Sequence, residues 1–214
     1  MASAGTVRRR VAGVRRMNGR TIITVFDYGA GNMHSLVKAL DVGAGVEVRL
    51  QTDPSAALKT DALVLPGVGA FSNAASRLAD GASEMRDAIL DGLPTLCICL
   101  GMQLLFDGSE EGSGTGLGVI PGHVRRLRAR RIPQIGWNEV ESLDEALPEV
   151  AYFANSYVCE PDDDACITAY TTHERDRFAS VVTVANAVGV QFHPEKSSRA
   201  GVSFVHDFVN GVIG

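Results

Sequence analysis

Three stretches, "TIITVFD" (21–27), "DALVLPG" (61–67) and "PTLCICL" (94–100), constrain the fold of this chain more than any other feature. Each is a short apolar run without the polar alternation of a half-exposed strand, so each reads as a strand buried on both faces. Helical patterns lie between and after them. Met33, Leu36, Val37 and Leu40 recur at helical spacing within 32–43, residues 71–90 read as helix with a break at Gly81, and 101–109 starts another. "VEVRL" (46–50) adds a strand. Strand and helix in alternation build a parallel sheet covered on both sides.

The second half changes character. Residues 116–127, 137–143, 150–160, 165–172 and 178–193 read as strands with little helix between them, and 201–213 as a closing helix. The expected architecture is α/β: a flavodoxin-like, open, mostly parallel sheet flanked by helices, with an additional antiparallel strand layer from the second half. With 214 residues, 45% hydrophobic and 21% charged, one domain with a substantial core is the simplest count. That domain is expected over 21–214. Residues 1–20 hold six arginines and no acid. They read as a disordered Arg-rich tail ahead of an internal start at Met17, with an organelle transit segment as the alternative.

Charge and cysteines narrow the classes. The chain carries −5 and its first twenty residues +6, so the rest carries −11 and has no general pull toward nucleic acid or anionic membrane. No apolar run approaches the ~20 residues of a membrane span. Cys97, Cys99, Cys159 and Cys166 form no C-x-x-C pair and no secreted disulfide framework, so a reducing cytoplasm is expected.

In open parallel sheets ligands bind beyond the carboxyl ends of the strands. "LPGVGAF" (65–71), "CICLGMQ" (97–103) and "VQFHPEKS" (190–197) stand at such ends. Cys99 sits where an apolar strand turns into a helix, the thiol counterpart of a nucleophile elbow, and the helix start aims N–H groups and a positive dipole end at it. Taken alone, it reads more readily as a buried structural cysteine. A thiol nucleophile needs a base and the base an orienting acceptor, and His193 and Glu195 of the "HPE" turn supply both near the same sheet edge. Val68, between two glycines, and Leu100, just after Cys99, offer backbone N–H groups for an oxyanion.

Elbow and "HPEKS" together resemble the class I glutamine amidotransferases, and the resemblance covers nearly all of 21–214. Within that class, "DYGAGN" (27–32), "LPGVGAF", "IGWNEV" (135–140) and "GVQFHPEKS" (189–197) are similar to the glutaminase subunits of imidazole glycerol phosphate synthase. The resemblance implies that Cys99 attacks the side-chain amide of L-glutamine while His193, oriented by Glu195, moves the proton. A glutamyl thioester is then hydrolysed to glutamate, with Val68 and Leu100 holding the oxyanion. It implies that Gly67, Gln103, Glu111, Asn155, Ser156 and Tyr157 bind substrate, Glu111 through the α-ammonium and 155–157 through backbone. Asn32, Trp137 and Lys196 would face a cyclase partner in a heterodimer, and the released ammonia would pass to that cyclase, which makes imidazole glycerol phosphate and AICAR in histidine biosynthesis. No metal or organic cofactor is implied.

This sequence departs from the family pattern in four places. Cys97 stands where a glycine is usual, Gln134 and Asn155 where histidines are usual, and "THERDRF" (172–178) lacks the usual Tyr-Gly. The tract "RRLRARR" (125–131) reads as a solvated turn or hairpin rather than an RNA contact, since no aromatics interleave it. "DDD" (162–164) reads as a polar turn rather than a metal site. A rival from another class is a non-catalytic thiol sensor using Cys97 and Cys99, but a sensor needs no oriented base.

Overall fold

The computed structural model describes residues 19–213 apart from Ala30, Asn32, Ala44 and Leu143. The expected tail and the interface residue Asn32 therefore lie outside the described residues, save Gly19 and Arg20. In chain order the first half comprises β1 (Thr21–Phe26), α1 (His34–Leu40), β2 (Val46–Gln51), α2 (Pro54–Ala57), β3 (Ala62–Leu65), α3 (Phe71–Leu78), α4 (Ala82–Leu90), β4 (Thr95–Ile98) and α5 (Leu100–Gln103). The second half comprises β5 (Gly108–Ser109), β6 (Gly122–Arg126), β7 (Gln134–Glu139), β8 (Val150–Asn155), β9 (Tyr157–Pro161), β10 (Ile167–His173), β11 (Asp176–Val184), β12 (Ala187–Val190) and α6 (Ser198–Ile213).

The main sheet has seven strands in the order β10-β11-β12-β4-β3-β1-β2. From β12 to β2 all pairings are parallel, which is the flavodoxin-like order expected, and β11 and β10 extend it antiparallel. The apolar runs are uniform because both faces are buried. On β3 and β4, Val64, Leu96 and Ile98 join one core with α1 and α6 residues such as Leu40, Val205 and Val209. Leu63, Leu65 and Cys97 join the other with Phe71, Leu78 and Met85 of α3 and α4. The break expected at Gly81 is a single 3₁₀ turn between α3 and α4.

Several boundaries differ from the sequence reading, for local reasons. The helix expected over 101–109 is one turn long. The carbonyls of Leu104, Leu105 and Phe106 accept N–H groups from Leu117 to Ile120 instead of continuing the helix, and Gly108 enters a ladder with His123. The same bonds keep 116–120 out of the strand expected there. The run 150–160 is cut at Ser156 into β8, paired with β7, and β9, paired with β6. The run 178–193 folds back at Ala185, whose φ is 50°, to give β11 and β12. The expected antiparallel layer is two small sheets, β5-β6-β9 and β7-β8, beside the main one, antiparallel except for the short parallel pair β5–β6. No helix of the described residues is long and apolar enough to cross a membrane.

Candidate active site

Three neighbouring parallel strands end at one edge. Leu65 of β3 stands opposite Cys97, and Val190 of β12 opposite Ile98. That register sets Pro66 and Gly67 on one side of Cys99 and Gln191 on the other, with His193 two residues further along. The Cys99 N–H donates to the Val190 carbonyl at 2.7 Å, which carries the pairing one residue past β4.

Cys99 then leaves the sheet with φ 47° and ψ −101°, a conformation side chains other than glycine seldom adopt. The turn matters for the two neighbouring thiols. Cys97 packs in the core under α3 and α4, whereas Cys99 is turned into the opposite cluster. The departure at Cys97 thus places its thiol in the core beside Tyr28, where burial pushes it well above its ordinary pKa. All four cysteines are free. The helix that follows can start only because residue 101 is glycine, since a Cβ there would run into the Leu65 carbonyl. The first intrahelical bond is Gln103 N–H to the Cys99 carbonyl, so the helix itself does not use the Leu100 N–H.

His193 is 4% exposed. Its Nδ1 bonds Glu195 Oε1 at 2.8 Å, leaving Nε2 as the ring nitrogen for Cys99. Burial opposes a charge on the ring, but the bonds to Cys99 and Glu195 outweigh it and raise the pKa to about 9. The turn is clamped from the side. The His193 N–H donates to the Tyr152 carbonyl at 2.8 Å, the Ser197 hydroxyl donates to the His193 carbonyl at 2.6 Å, and the Tyr152 N–H donates back to Ser197 Oγ at 2.8 Å. Gly67 closes on the pair from β3. A Cβ there would stand 2.8 Å from the Cβ of Cys99 and 3.0 Å from Cε1 of His193. Half-buried Val68 follows, and Gly69 has φ +101°.

The remaining expected site residues fall around this centre. Gln103 is buried and donates to the Tyr157 carbonyl at 3.2 Å and to Gln191 Oε1 at 3.4 Å. Asn155 Nδ2 donates to the same Tyr157 carbonyl at 3.1 Å, while Ser156 is partly exposed and its carbonyl accepts the Leu127 N–H. Exposed Glu111 accepts the Phe71 N–H at 3.0 Å, taking the capping position of α3 that Ala70 cannot fill. Trp137 and Lys196 are exposed, and Lys196 directly follows Glu195, its backbone N–H donating to the His193 carbonyl at 3.0 Å. The departures at Gln134 and Asn155 are cross-strand partners, both buried, and among the described residues the Gln134 amide and Asn155 Oδ1 find no hydrogen-bond partner.

Sequence reasoning passed over Ser197 and Gln191, although both lie inside the quoted "VQFHPEKS". Gln191 Nε2 donates to Cys99 Sγ at 3.4 Å. It also misread Arg125, which is not solvated. Its guanidinium is buried in a two-pronged pair with Asp176, at 2.7 and 2.8 Å. Among the described residues, no cluster of His, Cys, Asp and Glu is arranged to hold a metal ion.

Comparison with known proteins shows the family and the fold. Residues 24–211 match the family model described as glutamine amidotransferase class-I. An imidazole glycerol phosphate synthase subunit HisH from Gloeothece citriformis is 41% identical over 204 residues, covering 89% of this chain and 96% of the relative. The HisH subunit of a Synechocystis species is 43% identical over 205 residues, covering 89% and 96%. The chain belongs to the class-I glutamine amidotransferases, in the HisH family of imidazole glycerol phosphate synthase subunits. Solved structures agree on the fold. A crystal structure titled glutamine amidotransferase superposes with a TM-score of 0.69 at 17% identity over 89% of this chain and 98% of that one. A chain in the structure of PurLQS from Thermotoga maritima gives 0.68 at 16% identity, covering 89% and 98%. As a family member the chain is a glutamine amidotransferase, and the HisH kinship assigns that activity to histidine biosynthesis.

Proposed function

We propose that this chain hydrolyses L-glutamine through Cys99, His193 and Glu195 and delivers the ammonia to a cyclase partner. The observation that carries the reading is the single sheet edge where Cys99, held at φ 47°, meets buried His193 backed by Glu195, with Gly67 closed over both. Cys99 Sγ forms a bond to the amide carbon of glutamine, and the carbonyl electrons move onto oxygen. The N–H of Leu100, with that of Val68, stabilises the oxyanion. His193, which its pKa near 9 keeps protonated at neutral pH, gives its proton to the departing nitrogen, and ammonia leaves as the thioester forms. Water then adds to the thioester carbonyl, His193 takes its proton, and glutamate departs as the C–S bond breaks. Glu195 holds the ring orientation throughout. Gly67, Gln103, Glu111 and the 155–157 backbone hold the amino acid, the free carboxylate oxygen of Glu111 meeting the α-ammonium. The domain responsible spans 21–214 and acts in the cytoplasm without metal or organic cofactor.

The cyclase seats on the outer face of β7-β8. Ile135 is 67% exposed, Trp137 55% and Val150 44%, and Trp137 packs edge-on to Tyr152 at 6.1 Å. Such a contiguous apolar face suits a partner's core contact, with Lys196 as a charged contact near its rim. The face connects to the chemistry through Tyr152, whose peptide groups hold the His193 turn. A glutamine analogue with an electrophile at the side-chain carbon tests the reading. One label, on Cys99 and blocked by excess glutamine, is expected. Labelling of Cys97, Cys159 or Cys166 instead, or of no cysteine, would overturn it.

A further inference from the structure

A buried thiolate has lost its water and needs donors from the protein. His193 is one, but its N–H is a proton in transit: during each turnover it passes to ammonia. A second donor points at the same sulfur. Gln191 Nε2 lies 3.4 Å from Cys99 Sγ. Gln191 is fully buried, and the parallel register of β12 with β4 sets it beside Cys99. Its backbone N–H is fixed on the Ser180 carbonyl of β11 at 2.9 Å.

The orientation of this carboxamide is also determined. Gln191 Oε1 accepts from Gln103 Nε2, and Gln103 Nε2 donates in addition to the Tyr157 carbonyl. With its oxygen occupied, Gln191 presents N–H to the sulfur. Donation thus runs one way, from Gln103 to Gln191 to Cys99, and it starts at a side chain assigned to substrate binding. The charged or titratable groups around the sulfur are His193 on the turn after β12, Glu195 behind it, and the Cys159 thiol of β9. Burial, followed by the proximity of Cys99 and Cys166, holds Cys159 well above its ordinary pKa, so it is uncharged near neutrality.

We propose that Gln191 is a further catalytic residue, a non-titrating donor that stabilises the Cys99 thiolate, and that Gln103 is the positioning residue that keeps it donating. This rests on the glutaminase reading above. The contribution matters most in deacylation. As water's oxygen bonds to the thioester carbon and the C–S bond breaks, the electron pair stays on sulfur while His193 holds water's proton. A carboxamide donates at every stage, because it has no proton to lose.

The test is alkylation of Cys99 by iodoacetamide in the full chain, read by peptide mass spectrometry, which separates it from the other three cysteines. Gln191→Met keeps the volume and removes the donor. The rate at pH 7 is expected to fall about tenfold, as for loss of one hydrogen bond to a charged group. The deficit should shrink as the pH is raised. A rate within twofold of wild type at pH 7, or a slowing equal at every pH, would overturn the proposal. If Gln191→Met does not fold, Gln103→Met frees the Gln191 oxygen and should slow alkylation about threefold at pH 7; no change there overturns it equally. Glutamate release by the wild type with a cyclase partner separates the two readings. Absent release with the alkylation effect present sinks the glutaminase and leaves the thiolate donor. Release with no alkylation effect sinks the donor alone.

Discussion

At the scale of single residues, the site is defined by how little room it leaves. Gly67 shows this best, since any side chain there meets Cys99, His193 and the Ile98 carbonyl at 3.0 Å or less. Gly67→Ala should keep the fold and lower kcat for glutamate release about 100-fold, the usual cost of displacing reacting groups by about an ångström; a steady-state assay of the purified variant measures it. His193 sets the pH response. Burial disfavours its charge, but Cys99 and Glu195 raise its pKa from 6.5 to about 9. The stabilisation of the fold that this provides is therefore complete below pH 6.5 and disappears as pH rises through about 9. Glutamate release should fall along an alkaline limb centred near pH 9, as the ring loses the proton that it gives to ammonia; a pH–rate profile reads it. The meeting of Cys99, His193 and Glu195 was legible in the sequence because the elbow and the "HPE" turn are local patterns. Gln191 was not, because its meeting with Cys99 depends on a strand pairing 92 residues apart.

At the scale of elements, the buried strands declared themselves and the second half did not. β1, β3 and β4 are short, uniformly apolar and bounded by turns, so their identity followed from their own residues and their parallel pairing from the helices between them. The one-turn α5 was hidden because its carbonyls are claimed by N–H groups of the 117–120 segment, a contact that no helical pattern reveals. The pair Arg125–Asp176 was hidden for a similar reason. In the sequence Arg125 is one of five arginines in a charged tract, and its burial appears only when β6 meets the start of β11. Asp176 also accepts the Arg128 N–H, and Glu174 accepts those of Arg130 and Arg131, so the tract is pinned to the β10–β11 turn. Burial raises and the Arg125 bonds lower the Asp176 pKa, with the lowering prevailing. Arg125→Met should cost about 3 kcal/mol by stranding the buried carboxylate, which for a chain of this size lowers the melting temperature by roughly 6–12 °C. Calorimetry of the single variant and of Arg125→Met with Asp176→Leu checks it, the double change being expected to recover part of the loss.

At the scale of the whole molecule, the main sheet and the two small sheets divide the work. The ends of β3, β4 and β12 hold the proposed active site, while β7 and β8 carry the exposed apolar face and grip the His193 turn through Tyr152. A partner on that face is therefore one peptide away from His193, the proposed general base. Glutamate release from glutamine, with and without a histidine-pathway cyclase loaded with its ribonucleotide substrate, for wild type and for Cys99→Ala, tests the central claim most directly. The account predicts release that rises at least about tenfold with the loaded cyclase, as for an effector coupling of about 1–3 kcal/mol, and that disappears in Cys99→Ala. Equal release by Cys99→Ala, or a folded wild-type chain that releases no glutamate with the loaded cyclase, would contradict it.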